Sequence, residues 1–101
     1  MQLKESPWEG GVRGVAAIWS PLLNRTQRVS NQLMHVSDWL PTFFTAAGLD
    51  VSELGQIDGK DMWYSLSHDL ESPRTEVFNN YDEIENYSSL RVGPWKYITG
   101  T

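Results

Sequence analysis

The chain of 101 residues contains no cysteine. Disulfide bonds, thiolate metal sites and cysteine nucleophiles are therefore excluded within it, and the redox compartment cannot be read from it. Basic residues are also few, because eight Lys and Arg stand against thirteen Asp and Glu, for a net charge of -5. These eight are scattered along the sequence, whereas nucleic acids and anionic membranes attract clusters of Lys and Arg. We therefore expect neither nucleic acid nor an anionic membrane as a partner.

Long apolar runs are missing as well. The longest, Val15 to Trp19, is far too short to span a bilayer, so the sequence predicts no membrane span. Charged residues between Lys4 and Glu9 interrupt the N-terminus before any run of signal-peptide length, and we expect no targeting signal in this chain. Asn24 and Asn86 nonetheless begin Asn-x-Ser/Thr patterns and are candidate glycosylation sites. Together these features favour a chain that has lost an N-terminal portion over a cytosolic protein.

The overall composition is that of a globular domain, with 40% hydrophobic, 12% aromatic and 21% charged residues. Val12 to Trp19 is rich in Val, Ala and Ile and stops before a proline, which predicts a buried strand. Apolar residues spaced three and four apart predict a helix over about Trp39 to Ala47, with Ser37 or Asp38 as its N-cap.

The second half of the chain alternates short periodic segments with turn residues. The segments predict a short amphipathic helix, a strand, an exposed acidic loop and two strands around a Gly-Pro turn, in that order. They are Met62 to Leu66, Glu76 to Asn79, Tyr81 to Tyr87, and the pair Ser88 to Val92 and Trp95 to Ile98. This order indicates a mixed α/β domain, in which both faces of the N-terminal strand would need cover.

Several residues of chemically active types are expected to be structural. His35 lies at the entry to a helix with no second His or Cys nearby, so we expect it to be buried and hydrogen-bonded. Asp58 and Asp61 would need several more oxygen ligands to bind calcium, and are interpreted as a turn and a helix cap. Glu9 and Arg13 are placed to pair across a turn, where an exposed ion pair contributes little.

Three segments resemble a known family. The first runs Lys-Glu-Ser-Pro-Trp-Glu-Gly-Gly-Val-Arg-Gly from Lys4, and the second runs His-Val-Ser-Asp-Trp-Leu-Pro-Thr from His35. Both resemble the sulfatases, most closely the arylsulfatase B type. The segment from Ser88 to Tyr97 resembles the place where the large domain of these enzymes gives way to a small C-terminal sheet domain.

This resemblance implies an α/β fold: a partial alkaline-phosphatase-like sulfatase domain, with a mixed sheet and flanking helices, running into a C-terminal β-hairpin. Residues 1–87 would be the C-terminal part of the sulfatase α/β domain. Residues 88–101 would begin the small C-terminal sheet domain.

The resemblance also implies a catalytic mechanism, and one residue of that mechanism has a match in this chain. Sulfatases use a formylglycine, made from cysteine, and a calcium ion (Ca2+), and neither set of residues has a match in this chain, so both would be sited outside it. Lys4 matches the family's lysine that contacts the substrate sulfate, four residues before Trp8. A cation there would stabilise charge developing on the sulfuryl oxygens, by roughly 4 kcal/mol at about 4 Å and an effective dielectric of about 20. By residue type alone, a surface lysine is the commoner interpretation.

Two functions follow. The first is a fragment of an arylsulfatase B-like sulfuric ester hydrolase, which hydrolyses sulfate esters of a small molecule or glycan and is lysosomal or secreted. Its partner would be the remainder of the sulfatase chain, and the isolated chain is expected to be inactive. The alternative is a non-catalytic, sulfatase-derived module that binds a partner or a sulfated glycan through exposed aromatic residues. Five Trp keep the alternative open, although core packing explains them more simply.

We predict that the isolated chain is poorly soluble or partly disordered, because so few strands cannot cover both faces of the predicted N-terminal strand. Thermal unfolding of the monomeric 101-residue chain, followed by circular dichroism, should show no sharp cooperative transition. A sharp transition would contradict this prediction.

Overall fold

The computed structural model describes residues 6–100, which fall into two compact units. The terminal unit combines Met1–Ile18 with Glu76–Thr101, and the central unit is Trp19–Thr75. Over the described range, no helix has the length and apolar character needed to cross a membrane.

The terminal unit contains a short helix and a sheet of three strands in sequence order. The helix is α1 (Glu9–Val12), and the strands are β1 (Glu76–Asp82), β2 (Tyr87–Val92) and β3 (Trp95–Thr99). The three strands predicted in this region are therefore confirmed. β1 extends further than predicted, so that only the four residues after it form the exposed acidic turn.

Both strand pairs are antiparallel, so the described sheet is not the mixed sheet that the family resemblance implied. The reason lies in the connections, because turns of two and four residues join neighbours head to tail, whereas parallel pairing requires a long crossover. The two-residue turn places Gly93 at a φ of 55°, a conformation that glycine adopts without strain. The predicted boundary between residues 87 and 88 falls at the start of β2 and remains a prediction.

The prediction of a buried strand over Val12 to Trp19 is wrong. Val12 ends α1, and the following residues as far as Ser20 form no regular element. Val15 is fully exposed and Trp19 is 81% exposed. The apolar run has the composition of a strand buried on both faces, but in the described part of the chain no strand pairs with it.

The central unit is built on two helices, α2 (Trp39–Ala46) and α3 (Trp63–His68). Both predicted helices are thus confirmed, although the buried face of α2 is not formed by the apolar residues spaced three and four apart. Phe43 is 53% exposed, whereas Pro41 and Thr42 are buried. α2 is therefore oriented by its small and polar residues.

Thr42 connects the two helices. Its hydroxyl donates to the carbonyl oxygen of Asp38, 2.6 Å away, and accepts from the backbone N–H of Met62 at 2.9 Å. Met62 is fully buried immediately before α3. A single hydroxyl therefore donates to a carbonyl at the start of α2 and accepts from an amide next to α3, at a point where both Thr42 and Met62 are fully buried.

Asp38, one of the two predicted N-caps of α2 beside Ser37, occupies that position but makes no capping bond to that helix. Its side chain is fully buried. Oδ2 accepts from the backbone N–H of His35 and from Nε of Arg74, both at 2.8 Å. Oδ1 accepts from the backbone N–H of Lys60 at 2.8 Å and from Nη2 of Arg74 at 2.6 Å. The carboxylate therefore joins three separate segments of the chain.

Two effects oppose each other at this carboxylate. Burial raises the pKa of Asp38, but the hydrogen bonds from Arg74 and from the two backbone amides outweigh burial and hold the pKa below its ordinary value. The charged form is therefore the one that the central unit requires.

We predict that Asp38→Asn loosens the central unit, because one partner of a buried ion pair is lost, a change that typically costs about 3–5 kcal/mol. Hydrogen exchange should show that the amides of His35 and Lys60 lose their protection. The matched control is Asp50→Asn at an exposed turn, where the carboxylate accepts only from Ser52. In this control variant the amides of His35 and Lys60 should keep their protection. Equal protection in Asp38→Asn and wild type would contradict the assignment.

The same pair predicts a pH dependence. The pKa of Asp38 is lower in the folded state than in the unfolded state. Its contribution to the free energy of unfolding is therefore present above the ordinary Asp pKa of about 3.9, and it is lost as the pH falls through the pKa of the folded state. Protection factors of the Lys60 amide in the wild type, corrected for intrinsic exchange, should decrease as the pH is lowered through this range.

Candidate functional site

Lys4, the predicted substrate-contacting residue, lies outside the described residues. The segment that follows it is described from Ser6 onward, and we refer to Ser6 to Arg13 as the Trp8 turn. The carbonyl oxygen of Trp8 accepts from the backbone N–H groups of Gly11, at 2.8 Å, and Val12, at 3.1 Å. The chain therefore enters a single helical turn immediately after the buried Pro7.

Gly11 is required by this geometry. A Cβ atom at this position would clash with the backbone carbonyl of Ser6, so any other residue would force the turn to open. By contrast, a Cβ at Gly14 would have open space around it. Of these two glycines in the sulfatase-like motif, Gly11 is the one at which the neighbouring backbone leaves no room for a side chain.

An ion pair attaches the Trp8 turn to the sheet. Nζ of Lys96, on β3, lies 2.6 Å from Oε1 of Glu9, on α1. The predicted pair between Glu9 and Arg13 also forms, but it is 3.9 Å long and exposed. The hydrogen bond from Lys96 is the main reason that the pKa of Glu9 lies below its ordinary value. Lys96 was not singled out from the sequence, since its partner lies 87 positions away.

The other candidate residues make hydrogen bonds within the chain, although His35, which was expected to be buried, is half-buried. The ring Nδ1 of His35 lies 2.8 Å from the hydroxyl of Ser37. Asp61 accepts from the backbone N–H of Trp63 at 2.9 Å, next to the start of α3. The backbone carbonyl of Asp58 accepts from Arg74 at 3.1 Å. Within residues 6–100, no three His, Asp or Glu side chains are grouped so that they could hold a metal ion.

Both predicted glycosylation sites are exposed. The backbone N–H of Asn24 donates to the hydroxyl of Ser67 at 3.0 Å, which leaves the Asn24 side chain out of that bond. Asn86 has a φ of 61° in the turn between β1 and β2. Their glycosylation remains a prediction.

We predict that Lys96→Met raises the pKa of Glu9 toward its ordinary value of about 4.3, because the closest cation is removed. The matched control is Arg13→Met, which removes the longer and more exposed contact and should raise the pKa of Glu9 less. NMR titration of the Glu9 side-chain carboxyl distinguishes the two variants. A larger rise in Arg13→Met would show that the ion pair with β3 is not the dominant one.

No family model matches the chain. Arylsulfatase J of Mus musculus is 39% identical to it over 92 residues, which are 91% of this chain. The chain spans 15% of the length of that curated relative. The alignment therefore supports a relationship between this chain and the sulfatase family, over nearly all of the chain and a small part of arylsulfatase J.

Proposed function

We propose that the chain is a fragment of an arylsulfatase B-like sulfuric ester hydrolase, which hydrolyses sulfate esters. The observation that carries this proposal is the 39% identity to arylsulfatase J over 91% of the chain. In the proposed parent, residues 1–87 are the C-terminal part of an alkaline-phosphatase-like α/β domain. Residues 88–101 begin a small C-terminal sheet domain.

The proposed role of the chain in that hydrolase is to bind substrate. Lys4 contacts the sulfate group, where its charge opposes the negative charge that develops on the sulfuryl oxygens. The residues of this chain do not fit the family's other groups, because it has no cysteine to become formylglycine and, in its described part, no grouped set of metal ligands. Formylglycine and Ca2+ would therefore belong to the remainder of the parent polypeptide.

The proposed partner is that remainder, and exposed apolar segments of the chain support its presence. The segment from Val15 to Trp19 is apolar and exposed, and no strand in the described range pairs with it. A sulfated small molecule or glycan is the proposed substrate. Lysosomal or secreted localisation, with glycans on Asn24 and Asn86, belongs to the same proposal.

The alternative, a non-catalytic binding module, is favoured by one observation. β3 carries Trp95 and Tyr97, which are 79% and 68% exposed and could contact a partner directly. A sulfated glycan is a poor candidate for that partner, because the turn between β1 and β2 places Glu83 and Glu85 at the same sheet. The isolated chain would need to be folded and soluble for this alternative to hold.

We expect the 101-residue chain to show no turnover of an aryl sulfate, and the full-length parent to show turnover. In the parent, Lys4→Ala should lower kcat/KM by as much as about a thousandfold, the equivalent of roughly 4 kcal/mol. Lys60→Ala is the matched control, because that lysine is exposed and only its backbone is used, in the bond to Asp38.

Full activity of the Lys4→Ala parent would refute the role of Lys4. A parent without activity, together with a folded and soluble 101-residue chain, would favour the binding module.

A further inference from the structure

A series of contacts leads from β3 to the backbone at Ser6. On β3, Lys96 places Nζ 2.6 Å from Oε1 of Glu9, which lies on α1. Within the same turn, Gly11 approaches Ser6 so closely that a Cβ at Gly11 would clash with the backbone oxygen of Ser6 and lie 2.8 Å from its nitrogen. All four residues belong to the terminal unit. The sheet therefore anchors the Trp8 turn, and this turn in its turn fixes the backbone at Ser6.

The helix that carries Glu9 depends on such an anchor. α1 is a single turn of four residues, and a helix of this length is not stable without tertiary contacts. The side chain of Lys96 is 18% exposed, so its apolar stem is largely removed from water while its amine reaches the carboxylate. The contact with β3 is therefore partly shielded from solvent, which weakens a charge pair less than full exposure does.

Other cations near Glu9 do not replace this anchor. The hydrogen bond from Lys96 contributes most to holding the pKa of Glu9 below its ordinary value, and the charges of Arg13 and Arg91 contribute less. Arg91 is opposite Lys96 on β2, but its Nε donates to the carbonyl oxygen of Gly93 at 3.0 Å. Arg13 follows α1 directly and is exposed, so its contact with Glu9 does not connect the turn to the sheet.

Lys4 lies outside the described residues, but covalent geometry limits its distance from this anchor. Two peptide units separate Lys4 from Ser6, and a fully extended chain covers at most about 7 Å in that length. A cation that stabilises charge on the sulfuryl oxygens must be held far more closely than that, because a misplacement of about 1 Å can lower a rate by about a hundredfold. The contacts that fix Ser6 therefore bear on where this cation can lie.

We propose that the ion pair between Lys96 and Glu9 positions Lys4 for its contact with the substrate sulfate. The inference rests on the function proposed above, from which it takes the role of Lys4. Lys96 is a positioning residue, because it contacts the carboxylate of Glu9 and acts on the substrate only through Lys4. The coupling passes from β3 through α1 to Ser6 and then along two residues of the chain. When the ion pair is lost, α1 shifts and Lys4 moves with it.

Steady-state kinetics of the full-length parent test this proposal. Lys96→Met removes the cation but keeps an unbranched side chain, and it should lower kcat/KM for an aryl sulfate by about ten- to a hundredfold. Lys96→Arg keeps the cation and should restore most of that activity. The matched control is Arg13→Met, which removes a cation from the same carboxylate without affecting β3 and should keep wild-type activity. Wild-type kcat/KM in Lys96→Met, or no restoration in Lys96→Arg, would overturn the proposal.

A double-mutant cycle separates positioning from a general loss of folded protein. In the Lys4→Ala background, Lys96→Met should lower kcat/KM no further, because the cation that it positions is already absent. If Lys96 only stabilised the fold, Lys96→Met would lower kcat/KM by the same factor in both backgrounds. An equal loss in the two backgrounds would therefore overturn the proposal.

Binding of inorganic sulfate to the parent gives a second measurement that does not depend on hydrolysis. Isothermal titration calorimetry should show weaker binding in Lys4→Ala and in Lys96→Met, no further loss in the double variant, and wild-type binding in Arg13→Met. This pattern in a parent that does not hydrolyse aryl sulfates would refute the proposed function alone.

A parent that loses activity in Lys4→Ala but is unaffected by Lys96→Met would refute the positioning inference alone. Wild-type behaviour of Lys4→Ala in both measurements would overturn the role of Lys4 and, with it, this inference.

Discussion

The central unit depends on one carboxylate that is kept charged out of water. Asp38 receives donors from the chain before α2, from the segment before α3 and from Arg74 beyond it. Burying a carboxylate is unfavourable unless its oxygens are fully hydrogen-bonded, so any arrangement that separates one of these segments leaves a charge unsatisfied. Among the described residues of the central unit, Met62 and Pro41 are the fully buried apolar side chains, whereas Asp38, Thr42, Ser65 and Ser67 are buried polar residues of the same unit. Its segments are therefore positioned by hydrogen bonds as much as by apolar packing.

The terminal unit is held by a comparable but weaker constraint. Glu9 and Lys96 connect segments that are far apart in the sequence, and both side chains keep some contact with water, so their attraction is partly screened. Gly11 complements this pair, because its missing side chain lets the Trp8 turn close on Ser6. The segment from Ser6 to Arg13 therefore has a defined path, with α1 attached to β3.

The features that were predicted correctly are local. The α2 helix and the hairpin around Gly93 depend on periodicity and turn chemistry within about ten residues, which the sequence displays directly. The partners of Asp38 and Glu9 lie up to 36 and 87 positions away, and no local pattern indicates which residues will meet. Lys4 was assigned from family resemblance alone. Composition does not distinguish Lys4 from an ordinary surface lysine, and Lys4 lies outside the described residues.

The wrongly predicted strand and the exposed face of the sheet have a common physical cause. Val15 to Trp19 has the composition of a buried strand, but in the described part of the chain no strand pairs with it and its side chains are exposed. Phe78, Trp95 and Tyr97 lie on strands whose backbone groups are paired within the sheet, and their side chains are exposed as well. Apolar composition therefore predicts an element correctly only where the pairing partner is local, as in the hairpin around Gly93, and it does not predict which apolar side chains are buried.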